Sequence, residues 1–407
     1  MTRRSRAVRR TVASRSLAMA AVSAVGLSLA LTGCGAVSSS DDASGSSSSA
    51  SSGGGGGSAG GPSQEQLTEL KKLVSAAQAV PTFQAPGPAF DTSSVKGKKV
   101  MVIPTASQLP VCDQIGKDIV GLAKDVGMTG TYFQNSGGAA GWIPGMQQAI
   151  SQKYDAIVLV CGIDPNLITP QVRAATDAGI AVIDSGLGDT EDGGTDPLVT
   201  AQTNIPNAES IRRSVDVALI EHNGSPFDAY MVTSNEVPSS VAMAKAVTDE
   251  FAKYCPACKL TSTSVAVPDW ATKVQPAVNS ALLANPKIKA VIPIFDGMVP
   301  PAAAAVTASN KSDVFLYGDY GGTPAYIKEM GKSIPMHSDT GPTHLWRAYA
   351  TTDQMLRVLT KAGAVDPNKA MDPHRVWTLD NKDDVNGPND GFGTDFVTQY
   401  KKLWGLG

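Results

Sequence analysis

Beyond residue 62 the sequence has none of the short motifs that mark common enzyme classes. There is no glycine-rich G-x-G-x-x-G or Walker-A loop, no G-x-S-x-G elbow and no H-E-x-x-H pair. Histidine, the most frequent acid–base catalyst, occurs only four times in 407 residues. These absences argue against an enzyme and against a bound cofactor or metal.

The chain also lacks a basic surplus. Of its 34 lysines and arginines, six precede residue 16, which leaves 28 against 37 acidic residues and a net charge of −9. A polybasic surface is therefore not expected, and the sequence predicts no nucleic-acid partner. No apolar run of about 18 residues follows Cys34, so no later segment is predicted to span a membrane.

The N-terminus is typical of an exported protein. Six arginines precede an apolar run over residues 17–32 that is short for a bilayer span, which indicates a signal peptide over residues 1–33. The tetrapeptide Leu-Thr-Gly-Cys at 31–34 resembles the lipobox of bacterial lipoproteins, whose cysteine carries lipid such as palmitate. We therefore expect Cys34 to anchor the chain on the extracytoplasmic face of the cell membrane. The alternative is an ordinary signal peptide with an incidental cysteine.

Residues 34–62 are almost entirely Ser, Gly and Ala, a composition that predicts a disordered tether. Its root-mean-square span is roughly 30 Å, from about 5–6 Å times the square root of the residue number. An amphipathic helix is predicted within residues 63–97, over 64–80. Packing of this helix against the body is the first interpretation, and a free lever is the second.

From residue 98 onward, short apolar segments alternate with amphipathic ones. Segments such as 156–160 are apolar on both faces, as buried strands of a parallel sheet are. The predicted strands are 100–104, 129–133, 156–160, 181–184, 229–233, 260–267, 290–294 and 314–318. The predicted helices are 113–126, 144–152, 168–178, 208–222, 239–253, 271–283 and 298–309. The alternation predicts an α/β protein with two doubly wound, parallel-sheet, Rossmann-like lobes.

In such sheets ligands bind beyond the carboxyl ends of the strands, and the polar and aromatic residues found there suit a neutral, hydroxyl-rich ligand. The residues predicted to bind it are Gln108, Asp113, Trp142, Asp184, Asn235, Trp270, Phe295, Asp296, Tyr320 and Asp339. For Trp142 the structural alternative is packing in the core, and for Trp270 it is capping of the helix that follows. An aspartate such as Asp296 directly after a strand is also common in ordinary turns. His337, Asp339 and His344 are interpreted as hydrogen-bonding residues rather than metal ligands.

The pattern resembles the type I periplasmic binding proteins, the ribose- and galactose-binding group that serves ABC importers. The resemblance rests on five segments in the same order: 97–103, 154–159, 174–183, 288–298 and 314–324. It implies two lobes joined by a three-strand hinge. The first lobe would comprise residues 98–203 plus 340–375, and the second 204–339 plus 376–407.

Four cysteines follow Cys34, and an even number in an exported chain favours two disulfides. Cys255 and Cys258 form a C-x-x-C pair between a predicted helix and strand, which favours a structural staple over a redox role. In the 2-1-3-4-5 sheet order, Cys112 and Cys161 follow neighbouring strands. A disulfide near the cleft is therefore expected, with a catalytic thiol as the alternative.

The resemblance implies a monomeric sugar-binding protein whose partner is an ABC permease. Two arginines of ribose-type sites are missing here, because Asp184 is followed by Ser-Gly and the helix near 239 begins Ser-Ser-Val-Ala. This departure favours a larger, flatter or less polar ligand, such as an oligosaccharide, a deoxysugar or a nucleoside. One alternative is a ligand-sensing module that feeds a membrane signalling partner. A surface hydrolase is a third hypothesis, and it requires a nucleophile–base pair in the cleft.

Overall fold

The structure, a computed structural model, describes residues 60–406. The predicted signal peptide, the lipidation site Cys34 and nearly all of the tether lie outside this range. No helix within residues 60–406 is long and apolar enough to cross a membrane.

The body is built from twelve α-helices and eleven strands over the range described. The helices are α1 (Gln64–Gln78), α2 (Pro110–Asp125), α3 (Gly138–Ser151), α4 (Thr169–Asp177), α5 (Asn207–Glu221), α6 (Pro238–Tyr254), α7 (Trp270–Ala284), α8 (Val299–Ala308), α9 (Pro324–Glu329), α10 (His344–Thr360), α11 (Pro388–Gly391) and α12 (Asp395–Leu403). The strands are β1 (Lys99–Pro104), β2 (Thr129–Tyr132), β3 (Ala156–Val160), β4 (Ala181–Asp189), β5 (Ala201–Ile205), β6 (Asp228–Thr233), β7 (Lys259–Ser264), β8 (Ile288–Pro293), β9 (Phe315–Tyr317), β10 (Met336–Gly341) and β11 (Arg375–Thr378).

The first lobe is a five-stranded parallel sheet in the order β2-β1-β3-β4-β5. Alternate residues of β1 enter different cores: Val100 and Val102 join one cluster, Met101 and Ile103 the other. Both faces are thus covered, which explains why these strands are apolar throughout. The predicted α/β fold and the 2-1-3-4-5 order are confirmed.

The second lobe is a six-stranded sheet in the order β11-β10-β9-β8-β6-β7. Its strands are parallel except β11, which pairs antiparallel with β10. Several helices in both lobes begin at a proline that closely follows a strand, as α2 does at Pro110 and α6 at Pro238. Proline suits the first helical position because its missing N–H has no partner there anyway. These helices therefore start earlier than the hydrophobic pattern predicted.

Three strands that the pattern did not predict lie where the chain crosses between the lobes. They are β5, β10 and β11, and their bounds shift the expected crossings by a few residues. Residues 204–205 still pair in the first sheet, and residues 340–341 still pair in the second. β5 (Ala-Gln-Thr-Asn-Ile) is buried yet largely polar, so its sequence does not have the apolar run of a central strand.

The two ends of the described range pack on different lobes. Helix α1 lies against α5 and β11, and it buries Leu67, Leu70 and Val74. The prediction that residues 376–407 belong to the second lobe is wrong for α12. That helix packs on α10, which itself covers α2 and the first sheet. Phe396 stacks on Trp346 with ring centroids 4.4 Å apart, so the apolar side of α12 is buried on the first lobe.

Candidate functional site

The carboxyl ends of the parallel strands of both sheets face a cleft between the lobes. Two cavities near these strand ends are each lined by residues of both lobes. The larger, about 250 Å³, is called the polar cavity and is lined by Thr105, Gln108, Ser136, Trp142, Asp164, Glu236, Pro238, Val267 and their neighbours. The smaller, about 60 Å³, is called the aromatic cavity and is lined by Leu109, Val111, Cys112, Trp270, Phe295, Asp296, Tyr320, Thr323, Tyr326 and neighbouring residues.

The first-lobe wall of the polar cavity is fixed by hydrogen bonds among its own residues. The indole Nε1 of Trp142 donates to the carbonyl of Thr105 at 2.8 Å, and Nε2 of Gln108 donates to the carbonyl of Ser136 at 3.1 Å. Trp142 is 6 % exposed, whereas Gln108 and Ser136 are exposed. The indole therefore forms a rigid apolar face, and the exposed side chains supply polar groups at its edge.

A glycine pair allows α3 to begin at this wall. Gly137 has φ +94°, and an added Cβ would lie 3.1 Å from the Cβ of Ala106. A side chain at Gly137 would thus be strained and crowded.

The polar cavity carries acidic groups without basic ones. Asp164 accepts from the N–H of Asn166 at 2.9 Å, and Glu236 accepts from the N–H of Val267 at 2.6 Å. Within residues 60–406 no lysine or arginine lines either cavity. The cleft is therefore unsuited to a phosphate or carboxylate ligand, and its oxygens suit hydroxyl donors.

The aromatic cavity is built around three rings of the second lobe. Trp270 stacks on Phe295 with centroids 5.4 Å apart and planes 17° apart, and Tyr320 meets Phe295 edge-on at 5.3 Å. Nε1 of Trp270 donates to the carbonyl of Val265 at 3.0 Å. The indole N–H is thus engaged within the protein, while the rings form the wall.

Beneath this wall lie three buried carboxyl groups, on Asp296, Asp319 and Asp339. Burial raises the pKa of Asp296 to about 6, and it raises the pKa values of Asp319 and Asp339 well above the ordinary range. The N–H of Thr323 donates to Oδ2 of Asp296 at 2.8 Å, and the N–H of Thr340 donates to Oδ1 of Asp339 at 2.8 Å. Burial therefore opposes the simultaneous ionisation of the three carboxyl groups.

Arg347, which the sequence did not identify, is a fully buried cation beside the cleft. Its Nε and Nη2 lie 2.9 Å from Oδ2 of Asp372, and its Nη1 donates to the hydroxyl of Tyr320 at 3.1 Å. The only available signal was its place in the first turns of α10, directly after a lobe crossing. Because Tyr320 belongs to the second lobe and α10 to the first, this contact joins the lobes.

Both predicted cysteine pairs are disulfides in the structure. Cys112 and Cys161 have Cα atoms 5.8 Å apart, and the bond links the start of α2 to the end of β3. Cys112 lines the aromatic cavity and Cys161 the polar one, so this disulfide contributes to the lining of both cavities. Cys255 and Cys258, with Cα atoms 5.3 Å apart, close the turn between α6 and β7.

The ten residues predicted to bind the ligand fall into three groups. Gln108 and Trp142 line the polar cavity, and Trp270, Phe295, Asp296 and Tyr320 line the aromatic one. The remaining four, which line neither cavity, are Asp113, Asp184, Asn235 and Asp339. The neighbour of Asn235, Glu236, reaches the polar cavity in its place.

Each of those four has a structural reason. Because α2 starts at Pro110, Asp113 lies in its first turn, where it pairs with Lys117 and accepts from the hydroxyl of Tyr132. Asp184 lies inside β4, which runs five residues further than predicted, and Asp339 lies inside β10, a strand that the sequence did not predict. Asn235 is an exposed residue whose N–H donates to Ser264 and whose Oδ1 accepts from Thr233.

No cluster of three or more His, Cys, Asp or Glu side chains with metal-binding geometry occurs within residues 60–406. Nδ1 of His337 donates to Oε2 of Glu221 at 2.8 Å and its ring stacks on Phe315, and His344 is largely buried. Neither shares a site with Asp339 that fits a metal ion.

Comparison with known proteins identifies the family. The model of the periplasmic binding protein domain matches residues 100–362, well over half of the chain. The chain belongs to this family. Members are solute-binding proteins rather than enzymes, in agreement with the missing catalytic motifs. Among curated proteins, none matches the sequence.

Solved structures with the same fold include ABC transporter proteins from several bacteria. An ABC sugar transporter subunit from Rhodobacter sphaeroides has a TM-score of 0.60 at 17 % identity, covering 70 % of this chain and 100 % of its own. A solute-binding protein from Agrobacterium vitis with bound allitol has a TM-score of 0.62 at 18 % sequence identity, and the match covers 72 % of this chain and 98 % of that protein. The 5-methylthioribose transporter solute-binding protein of Thermotoga lettingae has a TM-score of 0.59 at 15 % identity, and the match covers 77 % of this chain and 94 % of that protein. At these identities the likeness shows the fold.

Proposed function

We propose that this protein is the extracytoplasmic solute-binding component of an ABC importer, and that its lobes close on a small neutral sugar or sugar-like molecule. The observation that carries the proposal is the polar cavity, whose walls come from both lobes. A ligand that touches both lobes favours the closed form over the open one. Family membership and the sugar- and polyol-bound neighbours support this function.

The chemistry of the polar cavity supports a neutral ligand. Its volume of about 250 Å³ lies just below the roughly 300–1,000 Å³ of ordinary small-molecule pockets. Trp142 offers an apolar face, and Gln108, Asp164 and Glu236 offer donors and acceptors around it. Sugars combine an apolar ring face with hydroxyl edges, so they match this arrangement.

The direct test is isothermal titration of the purified protein against pentoses, hexoses, polyols and nucleosides. Gln108→Ala removes a polar group from the cavity edge and is expected to weaken binding about 2- to 10-fold, the usual value of one hydrogen bond. Gln152→Ala is the matched control. Gln152 is also exposed and lies directly after the C-terminal end of α3, whereas the polar cavity adjoins the N-terminal end of that helix, so this variant should bind the ligand as the native protein does.

Scattering supplies a second readout. A ligand that bridges the lobes should reduce the radius of gyration of the protein when it binds, or hold it at the closed value. If no member of the panel binds, or if binding is unaffected by Gln108→Ala and leaves the lobes free to open, the proposed function is wrong.

We further propose that Cys34 is lipidated and that the protein acts as a monomer tethered to the membrane. The basic and apolar segment before Leu-Thr-Gly-Cys, together with the Ser/Gly stretch after it, supports this placement. Cys34→Ala should move the protein from the membrane fraction to the soluble fraction, whereas Ser38→Ala should leave it at the membrane. Mass spectrometry of the N-terminal peptide would show an unmodified Cys34 if the anchor is absent.

A further inference from the structure

The two cavities of the cleft differ in chemistry although they adjoin. Gln108 lines the polar cavity and the next residue, Leu109, lines the aromatic one. The two halves of one disulfide are divided in the same way, since Cys161 lines the polar cavity and Cys112 lines the aromatic one. One ligand can therefore occupy both cavities if it has a polar part and a short apolar part.

Three polar groups in the wall of the aromatic cavity are engaged by the protein itself. The Trp270 N–H donates to Val265, the Tyr320 hydroxyl accepts from Arg347, and Asp296 accepts from the N–H of Thr323. The other oxygen of this carboxyl, Oδ1 of Asp296, is buried without a hydrogen-bond partner among the described residues. A ligand hydroxyl that contacts the rings and aliphatic side chains of this cavity would lose its hydrogen bonds to water with little in return.

The remaining surface is apolar. Leu109, Val111 and the Cys112 sulfur face the rings of Trp270, Phe295, Tyr320 and Tyr326. Leu109 reaches across the cleft, since its Cδ2 is 4.0 Å from the position a Cβ would take on Gly297 in the second lobe. The volume of about 60 Å³ holds a group of roughly four heavy atoms, given that one water needs about 15 Å³.

We propose that the aromatic cavity is a subsite for a short apolar substituent, such as the methyl group of a deoxysugar or a methylthio group. This inference rests on the proposed function, because the sugar part of the same ligand occupies the polar cavity. The subsite disfavours the hydroxylated counterpart of such a ligand, since most of the surface around the substituent is apolar.

Two matched pairs of probes test the preference by titration. L-Rhamnose differs from L-mannose by a methyl in place of a hydroxymethyl group, and 5-methylthioribose differs from ribose by a methylthio in place of a hydroxyl group. At least one pair should show about 10-fold or more tighter binding of the apolar member.

Leu109→Trp fills the aromatic cavity without altering the polar one. This variant should reduce the preference within each pair to less than about twofold. Leu283→Trp, which changes a strongly exposed leucine on α7, is the control and should keep the native preference.

Xenon provides a readout that needs no sugar. In crystals of the protein under xenon pressure, the gas should occupy the aromatic cavity in the native protein and be absent in Leu109→Trp, because xenon enters dry apolar cavities. Ordered water hydrogen-bonded in that cavity, without xenon, would show that it is not apolar and would overturn the inference.

The outcomes separate this inference from the proposed function. If both members of each pair bind equally, the subsite is wrong and the sugar-binding function stands. Tighter binding of 5-amino-5-deoxyribose than of 5-methylthioribose would also overturn the inference, since Asp296 would then select an ammonium group. If no sugar binds, the proposed function fails and the subsite fails with it.

Discussion

Arg347 of the first lobe donates a hydrogen bond to the hydroxyl of Tyr320 in the second lobe at 3.1 Å. The guanidinium carbon lies 5.2 Å from the centroid of the Tyr320 ring, so the contact has a cation–π component as well. Tyr320 lines the aromatic cavity, and Asp372 holds the arginine in place. A contact between the lobes and the shape of the cavity wall therefore involve the same pair of side chains.

Tyr320→Phe removes this link while it keeps the ring. We expect ligand affinity to fall about 10-fold or more, because the closed form loses one hydrogen bond to a charged group. Titration gives the affinity, and small-angle scattering should show a larger radius of gyration without ligand. Tyr230→Phe, the same change within β6, should alter neither, and an unchanged Tyr320→Phe protein would contradict the role of the pair.

Asp372→Asn leaves the buried charge of Arg347 without its counter-ion. Both side chains of this ion pair are at most 1 % exposed, so the free energy of unfolding should fall by about 3 kcal/mol in urea denaturation. The exposed pair Asp269–Lys273 provides the comparison, since Asp269→Asn should cost less than about 1 kcal/mol. Similar losses in the two variants would show that burial does not decide the effect.

Asp184 should make the protein less stable as the pH rises. Burial, and then the negative charges of Asp196 and Asp164, raises the pKa of Asp184 well above its usual range. The folded state therefore binds a proton that the unfolded chain releases near pH 4, and the stability from this group is lost as the pH rises from about 4 through the folded pKa.

Asp184→Asn removes that dependence. The variant should be more stable than the native protein at pH 7, because the unfolded native chain releases a proton there that the folded state holds and asparagine has no proton to release. The advantage should vanish near pH 4 in urea denaturation at a series of pH values. Asp177→Asn, at the exposed end of α4, is the control. A constant difference at all pH values would refute the explanation.

The two disulfides should contribute unequally to stability. Their sequence separations are 49 and 3 residues, and the chain-entropy relation gives roughly 4 kcal/mol for the longer loop and roughly 2 kcal/mol for the shorter. Replacement of Cys112 and Cys161 by alanine should therefore lower the free energy of unfolding more than replacement of Cys255 and Cys258. Replacement of Cys112 and Cys161 should also weaken ligand binding, because these residues line the two cavities, whereas replacement of Cys255 and Cys258 should not. A larger loss from the second pair would contradict this.

The sequence predicted the elements whose pattern is local. β3 was predicted at its observed bounds, since a strand covered on both faces is apolar at every position. It did not predict β5, whose residues Gln202, Thr203 and Asn204 are buried but hydrogen-bonded near the lobe crossing. Polar groups satisfied by distant partners leave no periodic signal in their own segment.

The residues of the candidate site likewise divide into those with a local sequence signal and those whose role depends on distant partners. Trp270, Phe295 and Tyr320 were found because they directly follow a strand or close the turn before a helix. Asp184 was misplaced because nothing in the residues after it showed that β4 continues to Asp189. Arg347 was missed since its role depends on Asp372 and Tyr320, which lie 25 and 27 residues away along the chain.

The sequence alone determined that this chain has two α/β lobes with strand ends rich in polar and aromatic side chains. Apolar runs, turn residues and helix starts are local properties, so they can be read in chain order. Only the tertiary structure decided that Gln108 and Leu109 serve two different cavities, that α12 packs on the first lobe and that Arg347 joins the lobes. These features depend on contacts between segments far apart in sequence, and those contacts exist only after the lobes have formed and closed.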